Sequence, residues 1–384
     1  MLELGVDEVT IVLQISQQLK KTYNSNQFDW SVAAENIIDT FVDRAGFQTI
    51  FGNRIPEMRP PQGYTNAYAF GDHTFYLAVA YHRLQMSMGI VVKFSAQALD
   101  YYCESSGLKI YEFLQQTQAT EYTMRISRID LVVDYIDEGI NISEIYQNLM
   151  GKKIDIFREV INKNTGEVSY RRNSLQYGGY LKECDIPTIY IGSRKSNSFL
   201  RAYDKKRQQM EQKGSKLNKA IKCSDWVRFE GVFRHEFAHQ LSDELIKIQN
   251  DDEFANLIAC TMIQKFRFMY LENGLVDTET EYSQMLLDCI NNKNFVLQSP
   301  SSRSFELAKS IDYIFYGSGI ISILFKIGEI WGEQGVSIFL KFISEFLKEF
   351  EPNDDCRYWL RKNKADYQKN FSNFDFFLME SLMK

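Results

Sequence analysis

The sequence of 384 residues predicts an α+β protein with a mainly antiparallel sheet followed by a helical C-terminal region. The first observation is that residues 124–135, 198–205 and 226–234 alternate apolar and polar residues, with the two-residue period of a half-buried strand. The second is that the periodicity becomes helical at His235 and stays so to Lys384, with breaks near Asn273, 299–302, 317–319 and Pro352. A set of strands followed by a run of helices is typical of this class.

The chain is predicted to begin with a helix over residues 8–23, before a polar linker at 24–26. Glycine, proline and polar runs separate the next elements. The spacing of apolar residues predicts helices at 35–45, 97–103, 110–118 and 143–149, the last of them capped by Ser143. Further strands are predicted at 73–82, 89–95 and 188–191, with a strand pair around 164–166.

The three strongest strands each have an apolar face and a charged face. On a strand, residues two apart point to the same side. The charged faces carry Arg128, Asp130 and Asp134 on the first strand, Arg201, Tyr203 and Lys205 on the second, and Arg228 and Glu230 on the third. If the strands pair in one sheet, we expect these side chains to collect in one place.

Charge is spread unevenly along the chain. The net charge is −6, which argues against a protein that coats nucleic acid through its overall charge. Between Lys152 and Arg234, however, 19 lysines and arginines face 9 aspartates and glutamates. A basic middle inside an acidic protein indicates a local anion site.

Three carboxylates and a tyrosine among cations fit metal-assisted phosphoryl transfer. Oxygen ligands select Mg²⁺ or Mn²⁺, and a tyrosine oxygen can attack phosphorus to form a covalent intermediate. The alternative is a solvated sheet face with cross-strand ion pairs and no chemistry. Composition and alternation leave both interpretations open.

The motifs of this chain, in their residues and in their order, resemble those of the Rep_trans family of rolling-circle replication initiators and relaxases. The resemblance covers residues 27–245. It rests on Phe28-Asp-Trp, Met88-Gly-Ile-Val-Val-Lys-Phe-Ser95, Arg128-Ile-Asp-Leu-Val-Val-Asp134, Tyr190-Ile-Gly-Ser-Arg-Lys-Ser196, Arg201-Ala-Tyr-Asp-Lys205 and Arg228-Phe-Glu230, which follow one another in family order. The His-hydrophobe-His metal motif of other nickases has no match here, so a metal site would have to be built from carboxylates.

The resemblance implies a DNA nicking and joining enzyme. Tyr203 would attack one DNA strand at an origin, keep the 5′ phosphate and release a 3′-OH that primes synthesis, while Arg201 and Lys205 hold the scissile phosphate. The acidic motif positions, Asp130, Asp134 and Glu230, would bind Mg²⁺ or Mn²⁺. The residues expected to contact DNA are Arg128, Arg194, Lys195, Ser196, Lys206, Arg207 and Arg228.

The resemblance also implies an organisation and partners. It divides the chain into an N-terminal helix and linker (1–26), a catalytic nickase domain (27–245) and a helical region (246–384) for dimerisation or origin recognition. The expected partners are double- and single-stranded DNA at an origin, a host helicase and a second copy in a homodimer. Two related functions stay open, a conjugative relaxase with the same chemistry and a non-catalytic DNA-binding control protein.

A zinc peptidase is a further alternative. His235-Glu-Phe-Ala-His239 is a literal H-E-x-x-H, in which two histidines four apart on a helix bind zinc. No neighbouring signature singles out a third ligand. His235 could otherwise act as an auxiliary ligand in the nickase site.

The sequence predicts a cytoplasmic protein without a membrane segment. The six cysteines are scattered and form no C-x-x-C pair, which is typical of a reducing compartment. No signal peptide is visible at the N-terminus. The most apolar run, residues 313–325, is too short to span a bilayer.

Overall fold

A computed structural model of the protein describes residues 1–22, 29–57, 59–71, 76–161, 168–173, 177–182, 185–291, 295–297, 307–316, 318–370, 373–375 and 377. The chain forms two compact units, Met1–Gln298 and Ser299–Lys384. Phe28 of the first motif, the linker at 24–26, the turn at 164–166 and part of the strand predicted at 73–82 lie outside the described residues.

The strands of the first unit are β1 (Leu2–Ile15), β2 (Arg54–Pro56), β3 (Asn66–Phe70), β4 (Leu77–Tyr81), β5 (Ile90–Phe94), β6 (Tyr122–Ile136), β7 (Ile154–Ile161), β8 (Val168–Arg172), β9 (Tyr177–Lys182), β10 (Asp185–Ile191), β11 (Ser198–Asp204), β12 (Trp226–Arg234), β13 (Arg267–Glu272) and β14 (Leu275–Glu279). Its helices are α1 (Gln17–Thr22), α2 (Trp30–Ala45), α3 (Phe47–Phe51), α4 (Ala96–Ser106), α5 (Ile110–Gln116), α6 (Ile142–Met150), α7 (Lys205–Gln212), α8 (Leu217–Lys222), α9 (Glu236–Leu245), α10 (Asp251–Phe266) and α11 (Glu281–Asp288). The second unit contains α12 (Leu307–Tyr316), α13 (Ile320–Glu349) and α14 (Asp354–Asn370).

Most strands belong to one large antiparallel sheet with the order β2-β3-β4-β5-β1-β6-β12-β11-β10-β9. A smaller antiparallel sheet has the order β14-β13-β7-β8. The predicted fold class is confirmed by this arrangement and by the helical second unit. In the described part of the chain, no helix is long and apolar enough to cross a membrane.

Helices cover one face of the large sheet, and the opposite face carries the charged side chains, with α7 and α8 over part of it. α4, α9 and α10 pack against β1 and β6. Under them lie alternate apolar residues such as Ile11 of β1, Leu131 of β6 and Phe229 of β12, all fully buried or nearly so. Phe47 stands at the centre of an aromatic cluster beneath α2 and α4 and meets Phe94 edge to face, with 5.5 Å between ring centroids. This alternation fixes which side chains reach the opposite face.

The prediction of a helix over residues 8–23 is wrong for most of its length. Residues 2–15 form β1, and only Gln17–Thr22 are helical. A short apolar run rich in β-branched residues fits both the helical and the strand period, so periodicity alone does not separate them. The segment forms a strand because pairing with β5 on one side and β6 on the other satisfies its backbone hydrogen bonds on both edges.

Two smaller predictions are also wrong. The chain after His235 is not helical throughout, since β13 and β14 form a hairpin around Asn273-Gly274. Both turn residues have positive φ, 51° and 80°, the conformation for which an Asn-Gly pair is favoured. The cap of α6 is Asn141, not Ser143, because the Asn141 side chain accepts from the N–H of Glu144 at 3.1 Å.

Candidate active site on the charged face of the sheet

The predicted site residues gather on one face because β6, β12 and β11 are neighbouring antiparallel strands. Residues directly opposite each other across such a pair have side chains on the same side. Asp134 lies opposite Arg228, and Arg228 lies opposite Tyr203. Glu230 lies opposite Arg201. The prediction that these charged faces collect in one place is confirmed.

Tyr203 is 5% exposed and is held by polar neighbours at its hydroxyl. The hydroxyl donates to Oε2 of Glu230 at 3.3 Å, and the same oxygen accepts from Nη2 of Arg201 at 2.5 Å. The Arg201 guanidinium also lies 4.9 Å from the centroid of the Tyr203 ring. The phenol therefore has a proton acceptor on one side and a fixed positive charge over its ring.

Lys205 approaches the same hydroxyl from the start of α7. β11 ends at Asp204 and does not continue to Lys205, since the Asp204 side chain accepts from the N–H of Arg207 at 2.8 Å and caps the helix. The Lys205 ammonium donates to Tyr203 Oη at 3.5 Å. Burial and the charge of Arg228 lower the pKa of Lys205 to about 8.

Two arginine forks, a buried one from Arg228 and a half-buried one from Arg128, hold the aspartates of β6. Arg228 donates Nε and Nη2 to the two carboxylate oxygens of Asp134, both at 2.7 Å. Arg128 donates in the same way to Asp130, at 2.9 and 2.6 Å. Arg228, at 2% exposed, is committed to carboxylates and offers no free surface to DNA in this arrangement.

Sequence reasoning missed two carboxylates that β1 brings to this face. Arg128 Nη1 bonds Oε1 of Glu8 at 2.7 Å, and Arg228 Nη1 bonds Oδ1 of Asp7. Asp7 sits at a register shift between β1 and β6, where one extra residue turns an additional side chain toward the site. Alternation within residues 2–15 could have placed Glu8 on this face, once the segment is taken as a strand, but not Asp7, which depends on the register shift.

Burial and mutual repulsion raise the pKa values of acidic groups in the site. Burial raises the pKa of Asp130 to about 7; the Arg128 fork opposes this rise, and the charges of Glu230 and Glu8 add to it. Burial also raises the pKa of Glu230, against the pull of Arg201. The pKa of Tyr203 is well above its ordinary value, because of burial and then the charge of Glu230. All three groups therefore resist taking a negative charge.

The donor set fits a divalent metal by its chemistry, although the carboxylates are not gathered into a ready-made cage. Among the described residues, no three His, Cys, Asp or Glu side chains are grouped so that they could hold a metal ion. Each predicted ligand meets an arginine instead. Carboxylate oxygens nevertheless suit Mg²⁺ and Mn²⁺, and a cation would relieve the repulsion of Asp130 by Glu230 and Glu8.

Some of the predicted DNA-contact residues are exposed, whereas others are bound to partners within the protein. Arg194 and Lys195 are exposed on the turn between β10 and β11. In the same turn, Gly192 has φ 90°, and the Ser196 hydroxyl donates to the carbonyl of Ser193 at 2.6 Å. Gly192 and Ser196 thus shape the turn that presents the two cations.

The two cations of α7 have partners within the protein. Lys206 donates to the backbone carbonyls of Cys223 and Ser224 at 2.8 and 2.9 Å, at the C-terminal end of α8. Arg207 pairs with Glu211 at 2.9 Å and with Asp185 at 3.0 Å. Both stabilise the position of α7 over the sheet.

A cleft of about 270 Å³ opens beside Tyr203, between β9, β10 and β11 of the sheet and α7. Its sheet side carries Tyr180, Tyr190 and Arg201, and its helix side carries Gln208 and Gln212 among others. The phenol is therefore reachable from this side even though most of its surface is covered. Sequence reasoning did not predict the cleft, since it depends on how α7 folds back.

The H-E-x-x-H motif does not form a zinc helix here. His235 precedes α9 and has φ 51° and ψ −126°, so His235 and His239 do not lie four apart on one helix. In the described ranges, neither histidine belongs to a three-residue metal-binding group. The motif instead marks the sharp turn from β12 into α9.

Comparisons with known proteins agree with this geometry. Residues 124–318 match the model of a family described as a replication initiation factor, Rep_trans. Among solved structures, the fold is similar to that of a rolling circle replication initiator protein from Geobacillus stearothermophilus, with a TM-score of 0.52 and 17% sequence identity over 78% of this chain and 100% of that chain. No curated protein matches the sequence. At this identity the structural likeness establishes the fold alone.

Proposed function

The chain belongs to the Rep_trans family of replication initiation factors, and from this premise we propose that it nicks and rejoins one DNA strand at an origin to start rolling-circle replication. The intermediate is a 5′-phosphotyrosine at Tyr203. The released 3′-OH primes synthesis by the replication machinery, with a host helicase opening the duplex ahead of it.

The observation that carries the proposal is the contact between the Tyr203 hydroxyl and Glu230, with Arg201 and Lys205 beside it. A nucleophile within hydrogen-bond reach of a base, and a base oriented by a third group, is the arrangement that activates a hydroxyl. Arg201 orients Glu230 in this case. A solvated face of ion pairs would not need a buried phenol at its centre.

In the proposed step, Tyr203 Oη attacks phosphorus while its proton passes to Glu230. The bond between phosphorus and the 3′ oxygen breaks, and that oxygen takes a proton from water to become the free hydroxyl. Because the pKa of Tyr203 is raised, little phenolate exists beforehand, so the proton leaves during the attack. The raised pKa of Glu230 makes it a stronger base than an ordinary carboxylate.

Positive groups then balance the charge that builds on the phosphate. Arg201 and Lys205 lie on the attacking side and are fixed before the substrate arrives. We further propose that Asp130, Asp134 and Glu230, with Glu8 nearby, hold Mg²⁺ or Mn²⁺. A bound divalent metal polarises a phosphate oxygen and neutralises charge as it develops.

Exposed cations supply the DNA contact outside the reacting group. Arg194 and Lys195 stand on the β10–β11 turn without burial, which suits backbone contacts that position DNA and carry no sequence information. We assign origin recognition to other surfaces, including the helical region after residue 245.

The test is incubation of wild type and Tyr203→Phe with supercoiled DNA that carries the element's own origin, plus Mn²⁺, followed by a denaturing gel. We expect nicked circles with protein on the 5′ end for wild type alone. Tyr190→Phe is the matched control, since it removes the hydroxyl of a tyrosine on the neighbouring strand and should leave nicking intact.

Nicking by Tyr203→Phe at the wild-type rate would move the nucleophile away from Tyr203. Loss of nicking in Tyr190→Phe and not in Tyr203→Phe would assign it to Tyr190. Specific origin binding by a wild type that never nicks would favour the non-catalytic control protein instead.

A further inference from the structure

The cleft beside Tyr203 contains two buried polar atoms that have no partner. One is Oε1 of Gln208, which accepts no hydrogen bond from the part of the chain that the structure describes. The other is Nε of Arg201, which donates none to it. Both residues line the cleft. A buried polar atom without a partner is destabilising, so such atoms at a cleft indicate that a ligand completes them.

The cleft has aromatic walls on its sheet side. Tyr190 lies opposite Arg201 in the pairing of β10 with β11, so its ring stands on the same face as Tyr203. The Arg194 guanidinium covers one side of the ring, 4.2 Å from its centroid. Tyr180 of β9 lies beyond it and is 59% exposed. Planar rings at a cleft wall are stacking surfaces for nucleobases.

The charges at the rim of the cleft are already neutralised. Lys182 bonds both oxygens of Glu211 at 2.9 Å, and Arg207 bonds Glu211 at 2.9 Å and Asp185 at 3.0 Å. A second phosphate would find no uncompensated cation among these groups. An uncharged planar molecule with hydrogen-bonding edges fits better.

We propose that this cleft binds the base of a nucleotide next to the scissile phosphate, stacked on Tyr190 and read by the amide of Gln208. The inference rests on the proposed function, because Tyr203 is what places the scissile phosphate at the cleft. The unpartnered atom of the Gln208 amide is its acceptor, Oε1, to which an exocyclic amino group can donate; adenine and cytosine both carry such a group beside a ring nitrogen that the amide can donate to. The base preference is therefore for adenine and cytosine over thymine.

The test measures binding and not cleavage, so that it is independent of nicking. Fluorescence anisotropy with oligo(dA), oligo(dC) and oligo(dT) is carried out on full-length Tyr203→Phe, which forms no covalent product. We expect oligo(dA) and oligo(dC) to bind roughly fivefold or more tightly than oligo(dT), the lower end of what one bidentate base contact gives. Gln208→Leu removes the amide and should abolish this preference.

Two variants of Tyr190 distinguish the loss of base stacking from a loss of the fold. Tyr190→Leu should weaken binding of all three oligonucleotides about fivefold or more, whereas Tyr190→Phe keeps the ring and should bind like its parent. Tyr76→Leu, at an exposed tyrosine just before β4 in the other half of the sheet, is the matched control and should change nothing.

Equal affinity for the three oligonucleotides, or an unchanged preference in Gln208→Leu, overturns the base site. If the base preference is absent but the wild type nicks DNA, the base site is refuted and the proposed function is retained. If the preference depends on Gln208 but the wild type never nicks, the base site is retained and the proposed nicking activity is refuted.

Discussion

Substitution of Glu230 should impair nicking while leaving DNA binding intact. It accepts hydrogen bonds from Tyr203 and Arg201 and is 3% exposed. We expect Glu230→Gln to lower the nicking rate about 10²- to 10⁴-fold, because an amide cannot take the tyrosine proton. Duplex binding should persist, since the exposed cations remain. Nicking rates and filter binding at one salt concentration measure the two effects.

The control for that substitution is Glu244→Gln, which neutralises an exposed carboxylate paired with Lys247 at 2.8 Å. It should leave nicking and binding unchanged. A thermal unfolding curve for Glu230→Gln shows whether the fold survives. Wild-type nicking by a folded Glu230→Gln would exclude Glu230 as the base.

Lys205 makes a pH dependence testable. Its pKa of about 8 means that the ammonium is present below that pH and is lost as pH rises through it. Since the ammonium is the form that supports the phosphate, kcat/KM for nicking should fall above about pH 8, with other conditions fixed. Lys205→Arg keeps its charge throughout and should remove this fall. Identical pH profiles for the two proteins would show that Lys205 does not titrate in the reaction.

At the residue scale, the sequence allowed prediction of a shared face but not of the contacts on it. Asp130, Glu230 and Tyr203 could be grouped because strand alternation is strict. The fork from Arg228 to Asp134 could not be foreseen, since it depends on β6 and β12 being neighbours. The burial that shifts the pKa of Tyr203 likewise comes from α7 folding over the sheet.

At the scale of elements, β1 shows where local pattern gives way to tertiary pairing. Its residues were predicted as a separate leading helix, yet β1 lies between β5 and β6 in the middle of the sheet. The contribution of Asp7 and Glu8 to the site follows from that placement. Strong alternating strands such as β6 and β12 were predictable because both their faces are specified by the sequence.

Gly231 marks the tightest packing between β12 and the helices. A Cβ at this position would lie 2.5 Å from Sδ of Met262 and 2.9 Å from the Phe233 ring. We expect Gly231→Ala to lower the free energy of unfolding by about 1–3 kcal/mol through overpacking, as measured by denaturant titration. Gly5→Ala is the matched control on β1, because its Cβ would meet only Val132, at 3.6 Å. Equal stability of the two variants would mean that Met262 moves aside freely.

At the scale of the whole molecule, the order of elements predicted the class but not the topology. The fold class followed from strands that precede helices. The neighbours in the sheet do not follow sequence order, since β1 sits beside β6 and β6 beside β12. Long-range pairing of this kind is set by burial over the entire sheet, which no local window contains. The hairpin of β13 and β14 was missed for the opposite reason, because its Asn-Gly turn is a local signal that was interpreted only as a break between helices.

The uneven charge of the molecule leads to a prediction for DNA binding. The whole chain carries −6, and within the basic middle Arg228 is paired with Asp134 and Arg201 with Glu230, so both arginines are neutralised by carboxylates. Phosphate contact therefore falls to exposed cations such as Arg194 and Lys195. Replacing both with alanine should make the slope of log Kobs against log salt shallower by about two, one for each lost contact. Lys247→Ala, at an exposed lysine that follows α9 and pairs with Glu244, should leave the slope unchanged. An unaltered slope in the double variant would place the phosphate contacts on another surface.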